Sequence, residues 1–176
     1  MNTRKLLVAT AAGMLTLGIA LPASAGPGDT AATVTLTGGT LSITVPTNAG
    51  NLGSRANTVL QGTISGPLGV VQVNDARSAA AGSGWIATVI STAFTPPAGP
   101  TIGAALVGYT AGTITQVGTA TYTANDPGDL TGVVPAVTAT GITGDNSATW
   151  NPTINVTIAG GKVAGVYSGV ITHSVA

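Results

Sequence analysis

The sequence predicts an all-β, antiparallel sandwich, and three observations predict it. Beyond an apolar leader, Val, Ile and Leu alternate with Thr in short runs, the period-two pattern of half-buried strands. Gly, Pro, Asn and Asp break those runs at short intervals, as turn residues do. No stretch of ten or more residues after the leader carries a helical period. Many short strands around a single core favour two packed antiparallel sheets over a closed barrel.

The leader comes first. Arg4 and Lys5 precede an apolar run from Leu6 to Leu21, and Ala23-Ser24-Ala25 is a small-x-small cleavage signal. Thr10, Gly13, Thr16 and Gly18 dilute the run, which falls short of the roughly 20 residues a membrane span needs. Residues 1–25 are therefore read as a cleaved signal peptide and residues 26–176 as one exported domain with no membrane span of its own. There is no cysteine, so that domain must stand on its packed core without disulfides.

From Ala32, "ATVTLTGGTLSITVPT" predicts two strands, through Val34 and Leu36 and through Leu41, Ile43 and Val45, joined by a Gly38-Gly39 hairpin turn. "NTVLQGTISGPLGVVQVNDARS" predicts strands near Leu60 to Ile64 and Val70 to Asp75, separated by Gly66-Pro67. "GWIATVISTAF" predicts the next, closed by Pro96-Pro97, with the longest loop around "STAFTPPAGPTIG". "GTITQVGTATYTAN", "GVVPAVTATGIT" and "PTINVTIAGGKVAGVYSGVITHSVA" continue in the same manner to the end.

Charge and chemistry exclude several functions. Beyond the leader only Arg55, Arg77 and Lys162 are cationic, against Asp29, Asp75, Asp126, Asp129 and Asp145, so no basic patch serves nucleic acid or an anionic membrane. Catalysis has little to draw on, with one histidine, no cysteine and no glutamate. His173 lies on the last strand, on the face of Ile171 and Val175, and no G-x-S-x-G elbow marks a nucleophile for it. Asp126-Pro127-Gly128-Asp129 and Asp145-Asn146 read as turns rather than calcium ligands, because no EF-hand-like run of ligands is present. Lys162 in "AGGKVAG" reads as an exposed loop residue. No enzyme activity, metal or cofactor is expected. Asp75 and Arg77, two apart on a strand, point to one side and form a structural pair at the start of the following strand.

Two segments carry a family resemblance. "VQVNDARSAAAGSGWIATVISTAF" combines Asp-x-Arg, a Gly-rich link, Gly-Trp and an alternating strand ending in Phe, and "ATWNPTINVTIAGGKVAGVYSGVITHSVA" ends in Tyr-x-Gly-x-Ile-Thr. In this order they resemble the two motif regions of the WxL-domain family of Gram-positive cell-surface proteins. Neither W-x-L tripeptide is intact: Ala87 replaces the first Leu, and His173 and Val175 stand for the second Trp and Leu. The chain is thus similar to a divergent member. The resemblance implies an immunoglobulin-like sandwich, a place on the cell wall and non-covalent binding to peptidoglycan or another wall polymer. It makes Trp85, with Tyr167 and His173 from the last strand, candidate ligand-binding residues; Trp150 in "NSATWNP", before a residue pair ending in Pro, reads as a strand-edge or loop residue and a second candidate platform. Trp85 has two readings, a core side chain or an exposed platform for a sugar face. A different class of function, a structural or adhesive surface subunit that binds protein partners, is favoured by strands with few gatekeeping lysines.

Overall fold

The computed structural model describes residues 32–176, so the signal-peptide reading of residues 1–25 lies outside the described residues. Leu36–Ala176 form one compact unit. Eight strands build it: β1 (Leu41–Thr44), β2 (Gly62–Pro67), β3 (Val71–Ser91), β4 (Val107–Thr110), β5 (Thr115–Ala124), β6 (Val134–Trp150), β7 (Thr153–Ile158) and β8 (Ile171–Val175). All pairings are antiparallel. One sheet runs β1-β3-β6-β5, with β8 also paired to β3, and the other runs β2-β7-β4. The inward residues of both sheets meet in one core, so the fold is an antiparallel β-sandwich.

Alternation explains which face goes inside. On β3, Val71 and Val73 are buried while Gln72 and Asn74 are exposed, and Trp85, Ala87 and Val89 continue the buried row. Tyr109 and Val107 on β4 and Ile154 and Val156 on β7 close the core from the opposite sheet. Apolar area removed from water at about 25 cal/mol per Å² is the main support available to a chain without disulfides.

Several boundaries differ from the sequence expectation. The two strands expected at Val70 to Asp75 and Gly84 to Phe94 are merged into one, the 21-residue β3, which stops at Ser91 and whose register with β6 slips between Asp75 and Ala79, Ala79 and Ser83, Ser83 and Trp85, and Ala87 and Thr88. These bulges let Gly- and Ser-rich sequence stay inside a ladder. The strand expected at Leu60 to Ile64 is shifted to Gly62–Pro67, so Gly66-Pro67 lies within it. Asp145-Asn146 is no turn: both residues sit inside the 17-residue β6.

The Gly38-Gly39 hairpin is absent. Residues 32–40 form no strand, and Val34 and Leu36 are almost fully exposed. Gly39 N–H instead donates to Ala76 O, and Ala76 N–H donates to Thr40 O at 3.0 Å, which lays the chain beside β3. The expected long loop after β3 is present and is pinned by an isolated bridge between Phe94 and Ile102. Turn chemistry does hold at Asp129, whose carboxylate takes Thr131 N–H at 2.8 Å and Thr131 O–H at 2.6 Å.

Candidate functional site

Each tryptophan anchors a buried polar cluster. Trp85 on β3 follows Gly84, where a Cβ would stand 2.7 Å from Ala139 O, so a glycine lets β6 approach closely. Its indole Nε1–H donates to Asn146 Oδ1 at 3.0 Å, and Tyr122 O–H from β5 donates to the same oxygen at 3.2 Å. Asn146 Nδ2 donates in turn to Asp75 Oδ2 at 3.1 Å. Arg77 grips that carboxylate with Nε at 2.8 Å and Nη2 at 2.9 Å, and Nη2 reaches Gly84 O at 3.1 Å. The Asp75–Arg77 pair therefore ties the middle of β3 to the residue just before Trp85. It is no plain surface ion pair, because the Asp75 side chain is fully buried and only the arginine reaches water. Hydrogen bonds from the Arg77 side chain hold the Asp75 carboxyl below its ordinary pKa, against the upward pull of desolvation.

The second cluster joins the two sheets. Trp150 Nε1–H donates to Tyr109 Oη at 2.7 Å, and His173 Nε2 lies 3.1 Å from the same oxygen. An indole can only donate, so the tyrosine accepts from Trp150 and its own hydroxyl is free to donate to His173. A hydroxyl that donates to Nε2 requires a neutral imidazole with its proton on Nδ1; the other tautomer would donate from Nε2 to the second lone pair of the same oxygen. Burial lowers the His173 pKa to about 4 and raises that of Tyr109.

These placements correct the platform reading of the tryptophans. Trp85 and Trp150 are each 2% exposed, and an indole that stacks on a sugar must show a ring face to water. Neither does. Tyr167 is half-buried in the loop before β8, its hydroxyl donating to Val163 O at 2.9 Å. His173 is half-buried opposite Val89 in the ladder. Of the four candidates the structure thus joins only Trp150 and His173, through Tyr109. Asn146, Tyr122 and Tyr109 went unseen in the sequence. Asn146 shares a strand face with Ala148 and Trp150, a signal hidden while Asp145-Asn146 is read as a turn.

What faces outward is different in kind. The outer face of the larger sheet carries two cross-strand rows, Thr44–Gln72–Thr149–Thr115 and Ser42–Asn74–Ser147–Val117, running over β1, β3, β6 and β5. Seven of these eight side chains bear a hydroxyl or an amide, and none bears a charge. At the ordinary strand spacing of about 4.8 Å, each row spans roughly 14 Å. A shallow open depression of about 260 Å³ lies beside β4, edged by Gly108, Thr110, Asp126, Pro127, Asn155 and Thr157. Among the described residues no group of three or more His, Cys, Asp or Glu could hold a metal ion. Lys162 does not stand free, since its ammonium donates to Thr101 O at 2.6 Å.

Compared with protein-family models, with curated proteins and with solved structures, the chain matches none.

Proposed function

We propose that this chain is an exported, non-catalytic cell-surface protein that associates with the bacterial wall by binding peptidoglycan or another wall polymer. The observation that carries the reading is the pair of uncharged hydroxyl- and amide-bearing rows across β1, β3, β6 and β5. A glycan offers hydroxyl and acetamido groups along an extended chain, and a flat array of neutral donors and acceptors meets it without desolvating a charge. Each such bond is worth only about 0.5–1.5 kcal/mol net, so the affinity comes from several made together. The resemblance to WxL-domain proteins supports the same location, with the ligand surface moved from the indoles to the sheet face.

Co-sedimentation with sacculi stripped of protein tests this. Wild-type protein should pellet saturably. The triple variant Gln72→Ala, Asn74→Ala, Thr149→Ala should bind at least tenfold more weakly while keeping its circular dichroism spectrum, since all three side chains point away from the core. Equal pelleting of both proteins would remove the face as the site, and no pelleting of either would remove wall binding. The second reading, a surface subunit that binds protein partners, is favoured by the uncharged edge of β5, which pairs with no further strand among the described residues. It predicts indifference to sacculi.

A further inference from the structure

The outer edge of β5 ends the larger sheet. Among the described residues strand β5 pairs with β6 on one side and with no strand on the other, and eight of its ten residues are exposed. Such an edge is a template for another strand, and proteins usually blunt it with lysine, proline or bulges. Strand β5 holds no charged residue and no proline. It does carry register shifts between Val117 and Thr119 and between Thr119 and Thr121, but from Thr121 to Ala124 its pairing with β6 is regular. Asn125 N–H donates to Ala136 O on the β6 side. By alternation the N–H and C=O groups of Tyr122 and Ala124 point the other way, towards open solvent.

We infer that this edge pairs with the same edge of a second copy, antiparallel about a two-fold axis through Thr123. That register sets Tyr122 opposite Ala124 of the partner and Ala124 opposite its Tyr122, so the outward amides of both residues exchange hydrogen bonds. No like charges are brought together. The pattern is also self-complementary across the pleat. Ala120 and Tyr122 are half-buried beside the core, so a neighbouring strand covers their open flank, whereas Thr121 and Thr123 lie on the hydroxyl face of both copies. The regular run is short, so the contact belongs with small interfaces, below about 1,200 Å² in total, and the dimer is weak and concentration-dependent. Its effect is to join two polymer-binding faces into one sheet. The pairing itself requires no wall polymer.

The absence of native cysteine gives a direct test. In a non-hydrogen-bonded antiparallel pair the Cα atoms stand about 4.5 Å apart, within disulfide reach. Under mild oxidation without sacculi, Thr123→Cys should form a disulfide-linked dimer at least tenfold faster than Thr172→Cys, another exposed site, on the strand β8. Sedimentation equilibrium of the wild-type protein should show a reversible dimer, which Thr121→Lys with Ala124→Lys should abolish by placing like charges across the axis. Equal crosslinking rates at the two sites, or a wild-type protein that stays monomeric up to millimolar concentration, would overturn the inference. Neither result touches the sacculus experiment, so the wall-binding reading fails or stands separately.

Discussion

The two tryptophan clusters look alike and are built on different principles. Each indole is buried and donates its N–H to one oxygen. Around Trp85 that oxygen belongs to Asn146, a branch point that passes the chain of bonds to a fully buried aspartate and on to a guanidinium. Around Trp150 it belongs to Tyr109, and the chain ends at a neutral imidazole. The first cluster ties β3, β6 and β5 within one sheet, while the second ties the two sheets together. A charged network is costly to leave half-made, whereas a neutral one forfeits little beyond its own hydrogen bonds.

The sharpest way to break this comparison is to delete each branch point. Asn146→Ala strips the acceptor from Trp85 and Tyr122 and a donor from Asp75, and should cost about 3–5 kcal/mol of unfolding free energy in a urea titration followed by circular dichroism. Tyr109→Phe leaves one indole N–H and one imidazole nitrogen unpaired and should cost about 1–3 kcal/mol. Equal losses would mean that the buried charge adds nothing.

Acid should separate the clusters along the pH axis. His173 has a folded pKa of about 4 against an ordinary value of 6.5, so the unfolded chain takes up its proton first. Stability then falls as pH drops from about 6.5 to 4, by on the order of 3 kcal/mol in all. Asp75 is shifted down, so its contribution is intact above its unfolded pKa of 3.8 and is lost only as pH falls through its lower folded value. Midpoints measured between pH 7 and 3 should decline mainly through the upper window, and His173→Gln should flatten that decline while leaving the loss at lower pH. A decline that survives the substitution would assign it to other groups.

The smallest expected effect comes from Arg77→Lys. A lysine keeps the charge but cannot hold the carboxylate with two parallel bonds, which should cost about 1 kcal/mol. It should also move the onset of acid unfolding upward, because the Asp75 pKa is then less depressed.

Legibility in the sequence follows the same divide. Val71, Val73, Trp85, Ala87 and Val89 announce their buried face by alternation, and the sandwich follows from that pattern. The length of β3 and β6 does not, because glycines such as Gly82 and Gly144, and Asp145-Asn146, carry turn chemistry and are absorbed as irregularities in a paired ladder. Asp145 even holds one of them, accepting the N–H of Ser78, whose φ of 53° lies in the left-handed region. Val34 and Leu36 show the converse failure. Alternation reports what a strand needs, not whether a neighbour is there to supply it. The Asp75–Arg77 pair was visible as a spacing, yet Asn146, which completes it, comes from a strand 71 residues away.

The burial of both indoles has an optical consequence. Trp85 and Trp150 are the only tryptophans in the chain, and each lies in a different cluster. Their fluorescence is therefore a two-channel readout with no added label. Trp85→Phe leaves emission that reports the junction between the sheets, where His173, neutral until the pH falls to about 4, becomes a nearby quencher once protonated, and Trp150→Phe leaves emission that reports the charged network within one sheet.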